Sequence, residues 1–156
     1  MDFQTSVRTC LTRKYAAFQG RASRSEYWWF VLAYVIGMIV VAVLPIPLLP
    51  LLYVLALILP LAAAGFRRLQ DTGRPGWYIF VPIALSVVTQ FAMPRPGAMM
   101  PGGPGEIPTM TPGAMGGYGL AGLLALVQIV VTLLFIWWLT RPSDPAANAY
   151  GPPPVA

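Results

Sequence analysis

The 156-residue chain is 57% hydrophobic and 10% charged, against about 25% charged in an ordinary soluble domain, so a water-soluble fold could not cover its apolar surface and lipid is the natural solvent. Its net charge of +5 sits beside apolar runs rather than along one exposed face, which fits juxtamembrane retention and argues against nucleic acid as a partner. One cysteine and no histidine leave no intrachain disulfide and no thiol- or imidazole-based metal site.

Residues 1–26 carry Arg8, Arg13, Lys14, Arg21 and Arg24 without an apolar run, so no cleavable signal peptide is expected and the first membrane helix acts as its own signal. Phe3, Val7, Cys10, Leu11 and Phe18 recur at helical spacing, which predicts a basic amphipathic helix. Periodicity leaves two surfaces open to it, the anionic leaflet and the underside of the bundle. Ser23 followed three positions later by Glu26 reads as a capping box, with Ser23 accepting from the Glu26 N–H and the Glu26 carboxylate reaching back. This structural role outweighs a catalytic one for Glu26. Tyr27, Trp28 and Trp29 then form an interfacial aromatic belt.

Residues 27–66 carry no charge. As one helix they would run about 60 Å, twice the hydrocarbon thickness, so the chain must fold back. Pro45, Pro47 and Pro50 mark the turn and divide the stretch into spans near 27–44 and 49–68. Pro60 predicts a kink in the second span.

The stretch 66–77, FRRLQDTGRPGW, is the central water-facing loop. Arg67 and Arg68 close the second span at its negative dipole end, and Asp71 lies within helical pairing reach of both. Gly73 suits a helix stop and Pro75 a helix start. Trp77 and Tyr78 repeat the aromatic belt ahead of a third span near 77–93. Residues 94–117, dense in proline and glycine, read as a disordered external loop. Met93, Met99, Met100, Met110 and Met115 have thioethers suited to Cu(I), but at irregular spacing that compositional drift explains equally. A fourth span, 118–140, holds Gln128 near its middle as an interhelical hydrogen-bonding group and ends on Trp137 and Trp138. Residues 142–156 form a polar, proline-rich tail.

All basic residues except Arg95 fall in the N-terminal segment, the central loop and the tail. Four spans put those three on one side, and the positive-inside rule makes that side cytoplasmic. All five tryptophans then lie at the cytoplasmic interface. The expected fold is an all-α, polytopic membrane protein with four transmembrane helices, an N-terminal amphipathic helix and both termini in the cytoplasm.

Two blocks, FQGRASRSEYWWF and RRLQDTGRPGW, with NAYG near the end, resemble the domain of unknown function 805 family, small bacterial inner-membrane proteins typified by the YhaH-like proteins. The family's first block is matched by Gly20, Arg21, Arg24, Glu26, Tyr27 and Trp28. The second is matched by Arg67, Arg68, Leu69, Asp71, Gly73, Gly76 and Trp77. Gln70 stands where the family usually has histidine, which speaks against imidazole proton transfer or metal ligation. The resemblance implies a bacterial inner-membrane location and a fold, without an activity or a cofactor.

The expected function is that of a non-enzymatic interaction or scaffold component. Its cytoplasmic face would bind anionic lipid headgroups, a membrane protein partner or a second copy, through an interfacial cluster of Arg21, Arg24, Glu26, Arg67, Arg68, Asp71 and Arg74. Within that cluster Glu26 and Asp71 are expected to share one set of arginines. The alternative is a transporter or channel component. Pro60 and Pro82 support it by breaking helices, but no ionisable residue lies within a span.

Overall fold

Local chemistry sets most of the helix ends. The computed structural model describes residues 1–92, 99–100, 109–110 and 112–154. Helix α1, Phe3–Arg8, starts where the Asp2 carboxylate accepts from the Thr5 N–H at 3.0 Å. It passes into one π-helical stretch, Thr9–Arg13, and stops at Lys14. Phe18 therefore lies off the helix that the spacing assigned it to. The buried face is also different: Ser6, Thr9 and Cys10 are buried, while Phe3 and Leu11 stay exposed. Small polar side chains win that position because α1 lies against the start of α2, where the Ser6 hydroxyl donates to the Glu26 carbonyl.

Helix α2, Arg24–Val43, is N-capped by Ser23, whose hydroxyl accepts from the Glu26 N–H at 3.2 Å. It ends at Leu44, extended as a residue before proline must be. Helix α3, Leu49–Asp71, begins with proline in its first turn and carries Pro60 inside it. The two helices pack closely at Gly37, beside the Tyr53 side chain. Tyr53 stacks on Tyr34 at 5.6 Å and donates to the Tyr34 carbonyl at 3.0 Å. At its other end α3 closes in a Schellman turn: Gly73 has φ +74°, Gly73 N–H donates to Gln70 O and Arg74 N–H to Leu69 O.

A 3-10 turn, Gly76–Ile79, leads into α4, Phe80–Ala92. A two-residue antiparallel ladder pairs Met99–Met100 with Thr109–Met110. Helix α5 runs Pro112–Thr140. Composition predicts loop over 112–117, but proline costs nothing at a helix start, so the helix extends back to Pro112. The rest of the 94–117 reading, the ladder apart, lies outside the described residues.

Among the described residues, three helices are long and apolar enough to cross a membrane: Arg24–Val43, Leu49–Asp71 and Gly116–Thr140. The apolar helix Gly76–Phe91 is shorter. At 1.5 Å per residue it reaches roughly 24 Å against a hydrocarbon core of about 30 Å.

The chain forms two compact units. The first, Met1–Ile79 with Ile136–Ala156, holds the N-terminal segment, α2, α3, the end of α5 and the tail. The second, Phe80–Phe135, holds α4 and most of α5. The interior of the first unit gathers at one end, around Cys10, Ala22, Tyr27, Phe30, Ala64 and Leu69, and the far turns of α2 and α3 leave Ile39, Val43 and Leu55 bare.

Candidate functional site

The interior of the first unit is charged. Asp71, on the last turn of α3, is fully buried. Its Oδ1 accepts from Arg21 Nε at 2.9 Å and its Oδ2 from Arg68 Nη1. Arg21 comes from the loop before α2, which is held to α3 by the Ala22 N–H donating to the Arg67 carbonyl at 3.2 Å. Arg21 Nη1 donates to the tail carbonyls of Ala146 (2.7 Å) and Gly151 (3.3 Å), and Nη2 to Asp144 O and, at 3.4 Å, to Asp71 O. Arg68 reaches the end of α5. Its Nε donates to Leu139 O at 3.0 Å and its Nη2 to Arg141 O, filling carbonyls that the helix terminus leaves open.

The tail is tied down along its length. Asp144 N–H donates to Asp71 O at 3.1 Å and Asn148 Nδ2 to Gln70 O at 3.0 Å. Asn148 and Gly151 exchange backbone hydrogen bonds in a tight turn, with Gly151 at φ +127°. At Gln70, where the resemblance leads one to expect histidine, one end of the side-chain amide faces only acceptors, the carbonyls of Gly20 (2.7 Å) and Phe18 (3.3 Å), so the nitrogen is assigned to that end. Its role there is to hold the loop before α2.

A second ion-pair group lies beside the first. Glu26 is buried, its Oε1 accepts from Arg67 Nη1, and Lys14 Nζ lies 3.5 Å away. Arg67 is 1% exposed, and its Nε and Nη2 have no hydrogen-bond partner among the described residues. The Glu26 carboxylate thus takes a buried guanidinium instead of completing the capping box, because that guanidinium has no other counter-charge among the described residues. Cys10 lies close by; burial first, and then the Glu26 charge, push its thiol pKa up.

Glu26 and Asp71 accordingly belong to two neighbouring groups, not to one shared set of arginines. Consecutive residues on a helix point about 100° apart, so Arg67 turns to Glu26 while Arg68 turns to Asp71. Arg24 stays exposed on the first turn of α2. Arg74 donates to Thr72 O at 3.2 Å and lies 4.8 Å from the Trp138 ring. Of the tryptophans, Trp28 donates to Leu139 O at 3.3 Å and Trp29 meets Phe3 edge-on. Trp77 meets Tyr78 edge-on, Tyr78 stacks on Trp138, and Arg141 lies 4.4 Å over Trp137.

Sequence reasoning missed Lys14, Cys10 and the tail residues Asp144, Asn148 and Gly151. A signal for the tail existed in NAYG, where Asn and Gly are turn residues. Chemically the arrangement is a clamp. Each buried carboxylate is bound by guanidinium, and among the described residues no group of three His, Cys, Asp or Glu could hold a metal ion.

A family model described as "Protein of unknown function (DUF805)" matches residues 15–152. Inner membrane protein YhaI of Escherichia coli (strain K12) is 43% identical over 79 residues, which is 45% of this chain and 67% of YhaI. Inner membrane protein YhaH of the same strain is 37% identical over 76 residues, 42% of this chain and 63% of YhaH. No solved structure matches the chain.

Proposed function

The chain belongs to the DUF805 family of unknown function, and from that premise we propose that it is a multi-pass inner-membrane protein whose cytoplasmic face is an interaction platform for an anionic membrane surface or a protein partner. In this reading four helices cross the bilayer and both termini are cytoplasmic. The observation that carries it is the division of charge. Glu26 and Asp71 are bound inside by Arg21, Arg67 and Arg68. Arg8, Arg13, Arg24 and Arg141 are exposed, Arg74 is half-buried, and none of them enters an ion pair among the described residues. The outward face therefore keeps positive charge at a membrane edge. Each arginine near an anionic leaflet contributes about 1 kcal/mol of attraction.

Purification in mild detergent, with retained lipids and proteins identified by mass spectrometry, tests this reading. Enriched anionic lipid or a stoichiometric protein partner is expected. Solute uptake by the purified protein in liposomes would replace it with transport. Sidedness has its own check. In a Cys10→Ser background, Ala147→Cys should stay unlabelled by a membrane-impermeant thiol reagent in intact cells, and labelling would reverse the topology.

A further inference from the structure

Part of the outward charge converges beyond the ends of α3 and α5. Arg74, just past α3, and Arg141, just past α5, line a cavity of about 200 Å³ together with Thr72, Pro142 and Asp144. Two cations at one cavity repel each other, and among the described residues neither enters an ion pair. Asp71, the nearest buried carboxylate, is bound by Arg21 and Arg68. Asp144 forms no ion pair with either arginine; its Oδ1 accepts from the Ala146 N–H at 3.3 Å. The half-burial of Arg74 and the charge of Arg141 both push the Arg74 pKa down, the mark of a cation lacking its counter-ion.

Both guanidiniums also lie over an aromatic ring. Arg74 lies 4.8 Å over Trp138 and Arg141 4.4 Å over Trp137, on adjacent indoles at the end of the apolar helix Gly116–Thr140. The ring contact holds each guanidinium in place, and apart from Arg74 Nη1, which donates to Thr72 O, their N–H groups can donate to phosphate. Tryptophans at the end of a span sit at headgroup depth. A second basic cavity is lined by Gln4, Thr5, Arg8, Thr9 and Arg13, and among the described residues neither of its arginines lies over an aromatic ring.

We propose that Arg74 and Arg141 form a binding site for a phosphate-bearing anion, met in the bilayer as the headgroup of an anionic phospholipid. This rests on the platform reading and gives it an address. Thr72 can only accept there, since its hydroxyl already donates to Leu69 O at 2.9 Å. Asp144, on the same cavity, disfavours a multiply charged ligand and favours a phosphodiester with one negative charge.

The test is a titration of the purified full-length chain in neutral detergent with dihexanoyl phosphatidylglycerol, dihexanoyl phosphatidylcholine and inorganic phosphate, read by tryptophan fluorescence. The expected result is tighter binding of phosphatidylglycerol than of phosphatidylcholine. Arg74→Gln with Arg141→Gln should weaken phosphatidylglycerol binding by about 10- to 30-fold, and Arg8→Gln with Arg13→Gln should leave it within about threefold. Competition by inorganic phosphate would assign the site to phosphate itself, and binding of the lipid alone would assign it to the headgroup. Unchanged phosphatidylglycerol binding in the Arg74/Arg141 variant would overturn this site while leaving the platform reading intact. No preference for phosphatidylglycerol in the parent protein would remove both the site and the lipid half of that reading. Arg141→Gln alone, at an exposed position, serves if the double variant does not fold, with the same outcomes at a smaller change.

Discussion

The two units invert each other's distribution of polarity. At the closed end of the first unit ionic side chains are as dry as the apolar ones: Arg68 and Asp71 have no exposed surface and Arg67 has 1%, beside Leu69 and Cys10 at 0%. In the second unit Phe91 is 87% exposed and Val130 65%. Its polar groups are mostly satisfied within their own helix: Ser86 donates to Ile83 O, Thr89 to Leu85 O, and Gln128 Nε2 to Thr132 Oγ1. Hydrocarbon explains the difference. Apolar side chains have nothing to gain by leaving lipid for a protein interior, whereas ions and open backbone carbonyls must find partners. A core is therefore built where the charges are, from contacts distant in sequence, and the apolar helices need little beyond their own hydrogen bonds.

Removing the central carboxylate should break this contrast most severely. Asp71→Asn leaves two buried guanidiniums short of a counter-charge and should cost about 3–5 kcal/mol, measured by unfolding in detergent with SDS. Gln128→Leu in the second unit should change stability by less than about 1 kcal/mol, and Asp144→Asn in the tail by about 0.5–1.5 kcal/mol. Equal losses at the three positions would show that the ionic end is no more a core than the helices are.

Glu26→Gln should come next, at about 3 kcal/mol, because it strands Arg67. Replacing the pair with Glu26→Leu and Arg67→Met should recover much of that loss, since burying both charges has its own desolvation cost. If the double variant is worse than the single one, the pair contributes net stability.

Glycines sharpen the comparison at a smaller scale. A Cβ at Gly76 would collide with the Phe66 ring, whereas one at Gly122 meets nothing within 4 Å. Gly76→Ala should cost about 1–3 kcal/mol. Gly122→Ala, inside α5, should be neutral or stabilising by up to about 1 kcal/mol. Thermal unfolding of the two variants side by side decides it.

The smallest effect is on pH dependence. Burial raises the Cys10 thiol above its ordinary value of 9.0. A raised folded-state pKa gives stability that is complete below about 9 and erodes as pH climbs through the folded value. The parent protein should lose stability in that range with a slope that Cys10→Ser lacks, and identical slopes would mean the thiol is not buried as described.

Elements governed by neighbours in the chain were legible from sequence alone. Low charge and uninterrupted apolar runs indicated an all-α membrane protein. The Ser23 cap, the break ahead of Pro45 and the Gly73 stop follow from backbone rules spanning a few residues. The two charged blocks were legible as blocks for the same reason. Tertiary structure alone decided which charges meet. Arg21 finds Asp71 across 50 residues and the Ala146 carbonyl across 125; Lys14 approaches Glu26 across 12. Nothing in local spacing encodes the direction in which Arg67 and Arg68 turn, or that the tail folds back beneath them. Those choices depend on which counter-charges and open carbonyls the packed helix ends place within about 3 Å of each donor, a distance set only once the chain has folded.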